Sequence, residues 1–221
     1  NIQFNNLLNL TNFPLFAYNM NNSNNNIFPV FNNIISKENK EKQLKQKAKV
    51  IWMTGLSGSG KTTIAIEVEK ILSKKGYLVQ ILDGDNIRVG ISNNLSFSDE
   101  DRLENIRRIS EVSKLFINCG VITINCFVSP SNKIRQQAKE IIGEENFIGV
   151  FINTDLNTCE KRDTKGLYKK ARKGKIDNFT GISSKFEIPD STYVNINTSN
   201  SSINKCVNQL IEVILPKIQH N

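Results

Sequence analysis

The sequence lacks the residues from which a zinc site or a disulfide framework is usually built. Its only histidine is His220, and its 4 cysteines stand apart without a C-x-x-C pair. This spacing excludes a Cys/His zinc site and favours reduced, buried thiols. We therefore expect a reducing environment, either the cytoplasm or a reducing organelle.

Long apolar runs and a charged N-terminal segment are missing too. No run approaches the ~20 apolar residues that a membrane-spanning helix needs, so no membrane role is expected. Residues 1–36 contain no Asp, Glu, Lys or Arg and are rich in asparagine. They lack the basic region and the continuous apolar stretch of a signal peptide. We predict that residues 1–36 form a disordered leader without a clear targeting signal.

What is present is the composition of a globular domain with an excess of positive charge. The 221 residues are 38% hydrophobic and 23% charged, and the formal net charge is +8. This length suits one well-buried domain. The charge alone leaves two alternatives open, a nucleic-acid surface or pockets for small polyanionic ligands.

Short apolar runs alternate with longer amphipathic ones after a lysine-rich connector at residues 37–49, so the folded domain is predicted over residues 50–221. Strands are predicted at Val50–Thr54, Leu78–Leu82, Val121–Cys126, Phe147–Ile152 and Tyr193–Ile196. Helices are predicted at Thr62–Lys75, Asp99–Asn118, Ser131–Ile142, Leu156–Arg162 and Ser202–Ile218. The alternation predicts an α/β fold of three layers, a parallel sheet with helices on both faces that binds ligands at the carboxyl ends of its strands.

A glycine-rich motif follows the first predicted strand. Residues 55–62 read G-L-S-G-S-G-K-T and match the P-loop pattern G-x-x-x-x-G-K-[ST] between a strand and a helix. In such a loop, N–H groups surround the phosphates of ATP, Lys61 neutralises the β- and γ-phosphates, and the Thr62 hydroxyl ligates Mg²⁺. We therefore expect Mg²⁺ with ATP as cofactor. The predicted ATP-binding residues are Gly55, Leu56, Ser57, Gly58, Ser59, Gly60, Lys61, Thr62 and Thr63.

Two carboxylates and an arginine follow the second predicted strand, at the edge of the sheet where the phosphate loop lies. Asp83 is placed to accept a proton from an attacking hydroxyl or to hold the water shell of Mg²⁺. Asp85 and Arg88 are placed to orient the acceptor. A structural alternative is an Asx turn that closes the strand, with an exposed arginine beyond it.

The next predicted helix carries Arg102, Asn105, Arg107 and Arg108. Arg102 and Asn105 share one face of the helix, so both can reach one ligand. Guanidinium groups pair with phosphate and sulfate oxygens in a bidentate way. A solvated helix face explains Arg107 and Arg108 equally well.

Several blocks follow one another in a distinctive order. They are D-G-D-N-I-R at 83–88, F-S at 97–98, D-R-L-E-N-I-R-R-I-S-E-V at 101–112 and F-V-S-P at 127–130, then C-E-K-R-D at 159–163, K-G-L-Y-K-K-A-R at 165–172 and F-T-G-I at 179–182. In order and spacing they resemble the signature of one family of P-loop kinases, the adenylylsulfate kinases. The resemblance covers residues 37–221, and blocks of this length in order are far more specific than the phosphate loop alone.

The resemblance implies an activity and a set of site residues. This family uses ATP to phosphorylate the 3′-hydroxyl of adenosine 5′-phosphosulfate (APS), which gives PAPS and ADP. By similarity, the catalytic residues are Lys61, Asp83 and Ser129, and Arg162 lies over ATP. By similarity, APS is held by Asp85, Arg88, Phe97, Arg102, Asn105, Val128, Ser129, Lys165, Asn178 and Phe179. We expect Phe97 and Phe179 to face each other across the adenine of APS.

Three segments carry further implications of the resemblance. Ser129 corresponds to a family phosphoserine intermediate, whereas direct in-line transfer needs no covalent relay and leaves Ser129 to bind substrate or to start a helix. Lys169–Lys175 resembles the family's mobile basic lid. Ser183, Lys185 and Phe186 replace an Asp, a Pro and a Tyr of the family pattern, which puts lid closure and rate in question rather than the reaction.

Alternative functions remain at the level of sequence. A P-loop kinase of another small acceptor, such as a nucleoside monophosphate or a sugar acid, shares the phosphate loop, but the block at residues 83–88 and Phe97 argue against it. Another alternative is a catalytically silent nucleotide-binding module that docks a sulfurylase. The intact Lys61, Asp83 and Ser129 argue against it. We expect no nucleic-acid partner, because the basic residues fall inside phosphate-binding blocks and no recognition motif appears. A homodimer and a sulfurylase partner are suggested only by the family.

Overall fold

The structure, a computed structural model, describes residues 26–220 of the chain. Contacts divide the chain into two units, Asn1–Ile34 and Ile35–Asn221. In the first unit, the described part contains a short 3-10 helix at Phe31–Asn33. Most of the predicted leader lies outside the described residues, so its disorder stays a prediction.

The centre of the second unit is a 5-stranded sheet in the order β2-β3-β1-β4-β5. Its strands are β1 (Val50–Thr54), β2 (Val79–Asp83), β3 (Ile122–Cys126), β4 (Phe147–Asn153) and β5 (Val194–Asn197). All neighbouring pairs are parallel, and Val50 of β1 lies opposite Thr123 and Phe147 in the register. The predicted parallel sheet is therefore confirmed.

Helices cover both faces of this sheet. They are α1 (Lys37–Leu44), α2 (Lys61–Lys74), α3 (Gly84–Val89), α4 (Asp99–Asn118), α5 (Asn132–Ile142), α6 (Leu156–Arg162), α7 (Leu167–Arg172) and α8 (Ile203–Ile218), with a 3-10 turn at Glu144–Asn146. Ser98 and Ser131 accept backbone N–H groups at the starts of α4 and α5, which satisfies donors that a helix start leaves without partners.

Strand β1 shows why the fold has three layers. Its side chains alternate, so that Ile51 and Met53 enter one core with α2 and α8, while Val50 and Trp52 enter a second core with α4 and α5. A strand buried on both faces reads as a continuous apolar run, as V-I-W-M-T does here. The predicted α/β architecture is confirmed.

Three short helices, α1, α3 and α7, were not predicted from the sequence, whereas the 7-residue α6 was predicted with its observed bounds. Helix α1 lies in the expected connector and buries none of its residues, and α3 and α7 are 6 residues each. Helices this short show little apolar periodicity, and they depend on caps and tertiary contacts. The division at residues 36 and 49 into leader, connector and domain stays a prediction.

The segment that follows α1 packs into the second unit through one buried glutamine. Gln46 is 0% exposed; its amide nitrogen donates to the carbonyls of Leu78 (3.0 Å) and Gly120 (2.7 Å), and its amide oxygen accepts the Leu78 N–H (2.8 Å). These bonds join the start of β2 to the end of α4.

The four cysteines are free: Cys126, Cys159 and Cys206 are buried, as predicted, whereas Cys119 at the end of α4 is exposed. Within residues 26–220, no helix has the length and apolar character needed to cross a membrane.

Candidate active site

A cavity of about 610 Å³ opens at the carboxyl ends of the central strands and is lined by most of the predicted site residues. From the nucleotide set it is lined by Ser57, Gly58, Gly60, Lys61, Thr62, Thr63 and Arg162, and from the acceptor set by Asp83, Asp85, Arg88, Phe97, Arg102, Asn105, Val128, Ser129 and Lys165. Gly55, Leu56, Ser59, Asn178 and Phe179 are outside this lining. One cavity therefore collects residues from both predicted sets.

The phosphate loop connects β1 to α2 in a conformation that requires glycine. Gly55 has φ +151°, and a Cβ there would lie 2.6 Å from the carbonyl oxygen of Ile152. Gly60, with φ +102°, immediately precedes α2. Backbone N–H groups at a helix start, combined with the helix dipole, form an anion-binding site.

The buried hydroxyls of Thr154 and Thr198 and the exposed side chain of Arg162 hold this loop. The Ser59 carbonyl accepts the hydroxyls of Thr154 (3.0 Å) and Thr198 (2.9 Å) and the guanidinium of Arg162 (3.3 Å). Arg162 also donates to the Thr198 carbonyl at 2.7 Å. Arg162 therefore fastens the loop to the end of β5 in this structure, while its place over ATP stays a prediction.

Lys61 is the buried cation of the loop. Its Nζ donates to the carbonyls of Gly55 (2.9 Å) and Leu56 (2.8 Å). Burial lowers the pKa of Lys61 to about 8, although nearby Cys126, Cys159 and Asp83 oppose that shift. A cation stripped of water interacts strongly with any anion that enters the loop.

A hydrogen bond joins Thr62, the residue after Lys61, to Asp83 at the end of β2. The Thr62 hydroxyl donates to Asp83 Oδ2 at 2.7 Å, and Asp83 Oδ1 accepts the Asp85 N–H at 3.0 Å. Asp83 therefore does cap α3, as the Asx-turn alternative requires, yet it also faces the cavity. Hydroxyl and carboxylate oxygens suit Mg²⁺, which keeps several waters and phosphate oxygens around it.

The acceptor side is made of side chains. Lys165 Nζ pairs with Asp85 Oδ2. The guanidinium of Arg88 lies 4.1 Å from the ring centroid of Phe97. Arg102 donates to the carbonyl of Phe97 at 3.0 Å and to that of Asn178 at 2.8 Å. Arg102 thus ties the segment before α4 to the segment after α7.

Asn105 has an unfilled hydrogen-bonding position at the cavity wall. It is 5% exposed, and among residues 26–220 its Oδ1 has no hydrogen-bond partner. A buried amide oxygen is costly unless a donor reaches it, so this side chain suits a ligand that carries a donor. Arg107 and Arg108 do not line the cavity; both pair with Glu104 at 2.7 and 2.8 Å, and these hydrogen bonds lower the pKa of Glu104 to about 2.

Ser129 is held by side chains that sequence analysis did not single out. Its φ is +38°, in the left-handed region. Its Oγ accepts the indole N–H of Trp52 at 3.0 Å, and its carbonyl accepts Arg135 at 2.7 Å. Trp52 is itself stacked between Phe127 and Phe147. These contacts compensate a backbone conformation that is costly outside glycine.

Comparison with known proteins decides the family. The adenylylsulphate kinase family model matches residues 47–197. The chain belongs to this family. The adenylyl-sulfate kinase of Bacteroides thetaiotaomicron is 57% identical over 195 residues, which are 88% of this chain and 97% of the relative. That of Bacteroides fragilis strain YCH46 is 56% identical over 198 residues, 90% and 98% of the two chains.

A solved adenylylsulfate kinase has the same fold. The Mycobacterium tuberculosis APS kinase, determined in complex with AMPPNP and APS, superposes with a TM-score of 0.74 at 40% identity, and the match covers 76% of this chain and 98% of that one. The family and the fold predicted from the sequence blocks are thereby confirmed. The roles of individual residues stay predictions.

For this adenylylsulfate kinase family member, sequence reasoning missed Trp52, Arg135 and Tyr168. Tyr168 lies inside the K-G-L-Y-K-K-A-R block and lines the cavity, so its position in a quoted block was the available signal. In the sequence, Trp52 looks like any other core residue of a strand, and Arg135 looks like any other surface residue of a helix. Nothing in the local pattern marks either of them as part of the site. The facing of Phe97 and Phe179 stays a prediction; Phe179 packs edge-on to Tyr168, with ring centroids 5.0 Å apart.

Proposed function

We infer that this chain is an adenylylsulfate kinase, which transfers the γ-phosphoryl group of ATP to the 3′-hydroxyl of APS and gives PAPS and ADP. The observation that carries this conclusion is the single cavity in which a P-loop and the D-G-D-N-I-R block face each other, in a chain of this family. Phosphoryl transfer needs mainly positioning and charge stabilisation, and both are available in this cavity.

We propose that the nucleotide occupies the phosphate loop. Loop N–H groups and the Lys61 ammonium would stabilise the negative charge that shifts between the β- and γ-phosphates during transfer. Mg²⁺, held by the Thr62 hydroxyl and by water attached to Asp83, would supply charge neutralisation on the phosphate oxygens. The 2.7 Å contact between Thr62 and Asp83 supports this assignment.

We propose that APS occupies the opposite wall. Arg88 and Arg102 offer fixed donors to the phosphosulfate, since planar guanidinium groups suit its oxygens. The Oδ1 of Asn105, which has no partner in the described part of the chain, suits a donor of the nucleoside. Asp83 would accept the proton of the 3′-hydroxyl or orient metal-bound water.

We propose direct transfer without a phosphoserine. The Ser129 Oγ accepts the Trp52 indole N–H at 3.0 Å and donates to the Phe127 carbonyl at 3.3 Å, and the residue is 3% exposed. Thr54 and Arg135 both donate to the Ser129 carbonyl and so fix its left-handed backbone. This arrangement suits a rigid surface for the acceptor rather than a nucleophile that must move. Homodimer formation and docking to a sulfurylase stay predictions.

The test is an acceptor panel. ADP release would be measured with APS, AMP and gluconate in parallel, each at saturating ATP and Mg²⁺. Turnover with APS alone is the expected result, with a chelator as the control for the metal. Faster turnover with AMP or gluconate would assign the cavity to another acceptor, and no turnover with any acceptor would favour the silent binding module.

A further inference from the structure

Tyr168 of α7 is buried against the phosphate loop. The side chain is 1% exposed, and its phenol donates to the carbonyl of Ser57 at 2.9 Å. Burial is the main cause that raises the pKa of Tyr168, so the phenol keeps its proton and remains a donor. A buried phenol is costly without such a partner. The bond therefore fixes Ser57 and α7 to each other.

The ring of Tyr168 also contacts the acceptor side. It meets the Phe179 ring edge-on, with an interplanar angle of 79° and centroids 5.0 Å apart. Aromatic pairs prefer this arrangement. The neighbouring Asn178 has φ +54°, and its carbonyl accepts Arg102. A turn in which Phe179 O accepts the N–H groups of Ser183 and Ser184 closes behind it.

The contacts form one continuous series across the cavity. It runs from Ser57 to Tyr168, then to Phe179 and Asn178, then through Arg102 to the carbonyl of Phe97. The N–H of Tyr168 is held by Asp163 at 3.1 Å, which fixes the first turn of α7. A movement of the loop at Ser57 can therefore be transmitted through packed side chains to the turn at Asn178 and Phe179.

We propose that Tyr168 is a positioning residue that couples occupancy of the phosphate loop to the acceptor-side turn at Asn178 and Phe179, so that bound nucleotide strengthens APS binding. The proposal rests on the proposed function. An anion that orders Ser57 also orders Tyr168, and part of the ordering that APS binding requires at Phe179 is then already complete. Contact alone does not establish coupling, so the coupling must be measured.

The experiment is calorimetric titration of APS alone and with saturating AMPPNP, in the wild-type protein and in Tyr168→Phe. AMPPNP is expected to lower the APS Kd of the wild type. The coupling is measured as the ratio of the APS Kd without AMPPNP to the APS Kd with AMPPNP. In Tyr168→Phe, which loses only the hydroxyl, this ratio should move toward one by about 2- to 10-fold, the size expected from one neutral hydrogen bond. Because coupling is reciprocal, the effect of APS on the AMPPNP Kd should fall by the same factor.

Tyr193→Phe is the matched control. It removes another phenolic hydroxyl, from a ring that packs edge-on to Phe147 and is outside the cavity lining, and it should leave the ratio unchanged. A wild-type ratio of one, an unchanged ratio in Tyr168→Phe, or an equal change in Tyr193→Phe would overturn the proposal.

A second variant protects the test against misfolding. Phe179→Leu keeps an apolar side chain but loses the aromatic edge contact, and it should shift the ratio in the same direction, with folding checked by circular dichroism. If Tyr168→Phe does not fold, an unchanged ratio in Phe179→Leu overturns the proposal. Failure of the wild type to bind APS at all would instead contradict the proposed function.

Discussion

The two walls of the cavity are built from different parts of the polypeptide. The nucleotide wall is backbone, bent at glycines and fastened from behind by Thr154, Thr198 and Arg162. The acceptor wall is side chain, and much of it faces solvent: Phe97 is 53% exposed, and the side chains of Asp85 and Lys165 are 69% and 61% exposed. A fixed backbone wall suits the triphosphate, which is the same in every ATP molecule, whereas the side chains of the other wall provide selectivity for one acceptor.

The largest expected effect is on the nucleotide wall. Lys61→Ala should lower kcat by about 10³-fold or more, because the lost cation acts on charge that develops at the γ-phosphate. The variant should stay folded with only a small fall in melting temperature, since removal of a buried cation whose pKa is already lowered offsets the lost hydrogen bonds to the Gly55 and Leu56 carbonyls. Steady-state kinetics and a thermal melt check both parts; near-normal turnover in the folded variant would contradict the loop assignment.

Asp83 stands where the two walls meet. Asp83→Asn should lower kcat by about 10²- to 10³-fold with little change in KM for APS, because a proton acceptor or metal-shell ligand acts mainly in the transition state. Asparagine can still cap α3 in place of Asp83, so stability should be preserved. If only KM for APS rises, Asp83 is a substrate-positioning residue instead.

The acceptor wall should respond in affinity rather than in rate. Phe97→Ala should raise KM for APS by about 5-fold or more, with KM for ATP nearly unchanged, if the ring stacks on adenine. Because Phe97 is half exposed, the melting temperature should change little. Leu115→Ala, at an exposed apolar position of α4, is the control. Unchanged APS kinetics would remove the stacking role, whereas Phe179→Ala should cost more stability because its ring also packs on Tyr168.

Nucleotide binding should also depend on pH through Lys61. Free Lys61 has a pKa of about 8, and bound phosphates should raise it, so AMPPNP binding takes up a proton above that pH and weakens as the pH rises. Below it the lysine is already charged and the uptake disappears. Calorimetry at about pH 9 in two buffers of different ionisation enthalpy measures the uptake. Lys61→Arg should abolish it; uptake that persists would assign the proton elsewhere.

The smallest effect is expected outside both walls. Deleting residues 1–34 should leave the melting temperature and kinetics nearly unchanged, because the composition of that segment is that of a leader. Ser36, which caps α1 through the Asn39 N–H, is kept. Deleting residues 1–44 is the control, and it should destabilise the protein because Glu41 holds the Ala48 N–H at 2.7 Å. Weaker APS binding after the shorter deletion would show that the leader contributes to the site.

The same contrast explains what the sequence could predict. Strand β1, helix α4 and the phosphate loop are contiguous patterns, and β1 and α4 have the predicted bounds. The contacts of Trp52 with Ser129 and of Tyr168 with Ser57 join residues 77 and 111 positions apart. No local pattern encodes such distances, and only the assembled sheet brings these side chains together. Position in the sequence suggested Asp85, Arg88, Arg102 and Asn105, but the full set of acceptor residues came from the family blocks, because an exposed arginine looks the same in sequence whether it binds a ligand or water.

Direct transfer across the cavity is tested by one single-turnover measurement with ATP labelled at the γ-phosphate. Enzyme in excess would be mixed with labelled ATP and APS, quenched at intervals, and separated into protein, ATP and PAPS. We expect the label to leave ATP and to appear at the 3′-position of PAPS at one rate, with none on the protein. Label that accumulates on the protein before PAPS forms would make Ser129 a covalent relay and would contradict direct transfer between the two walls.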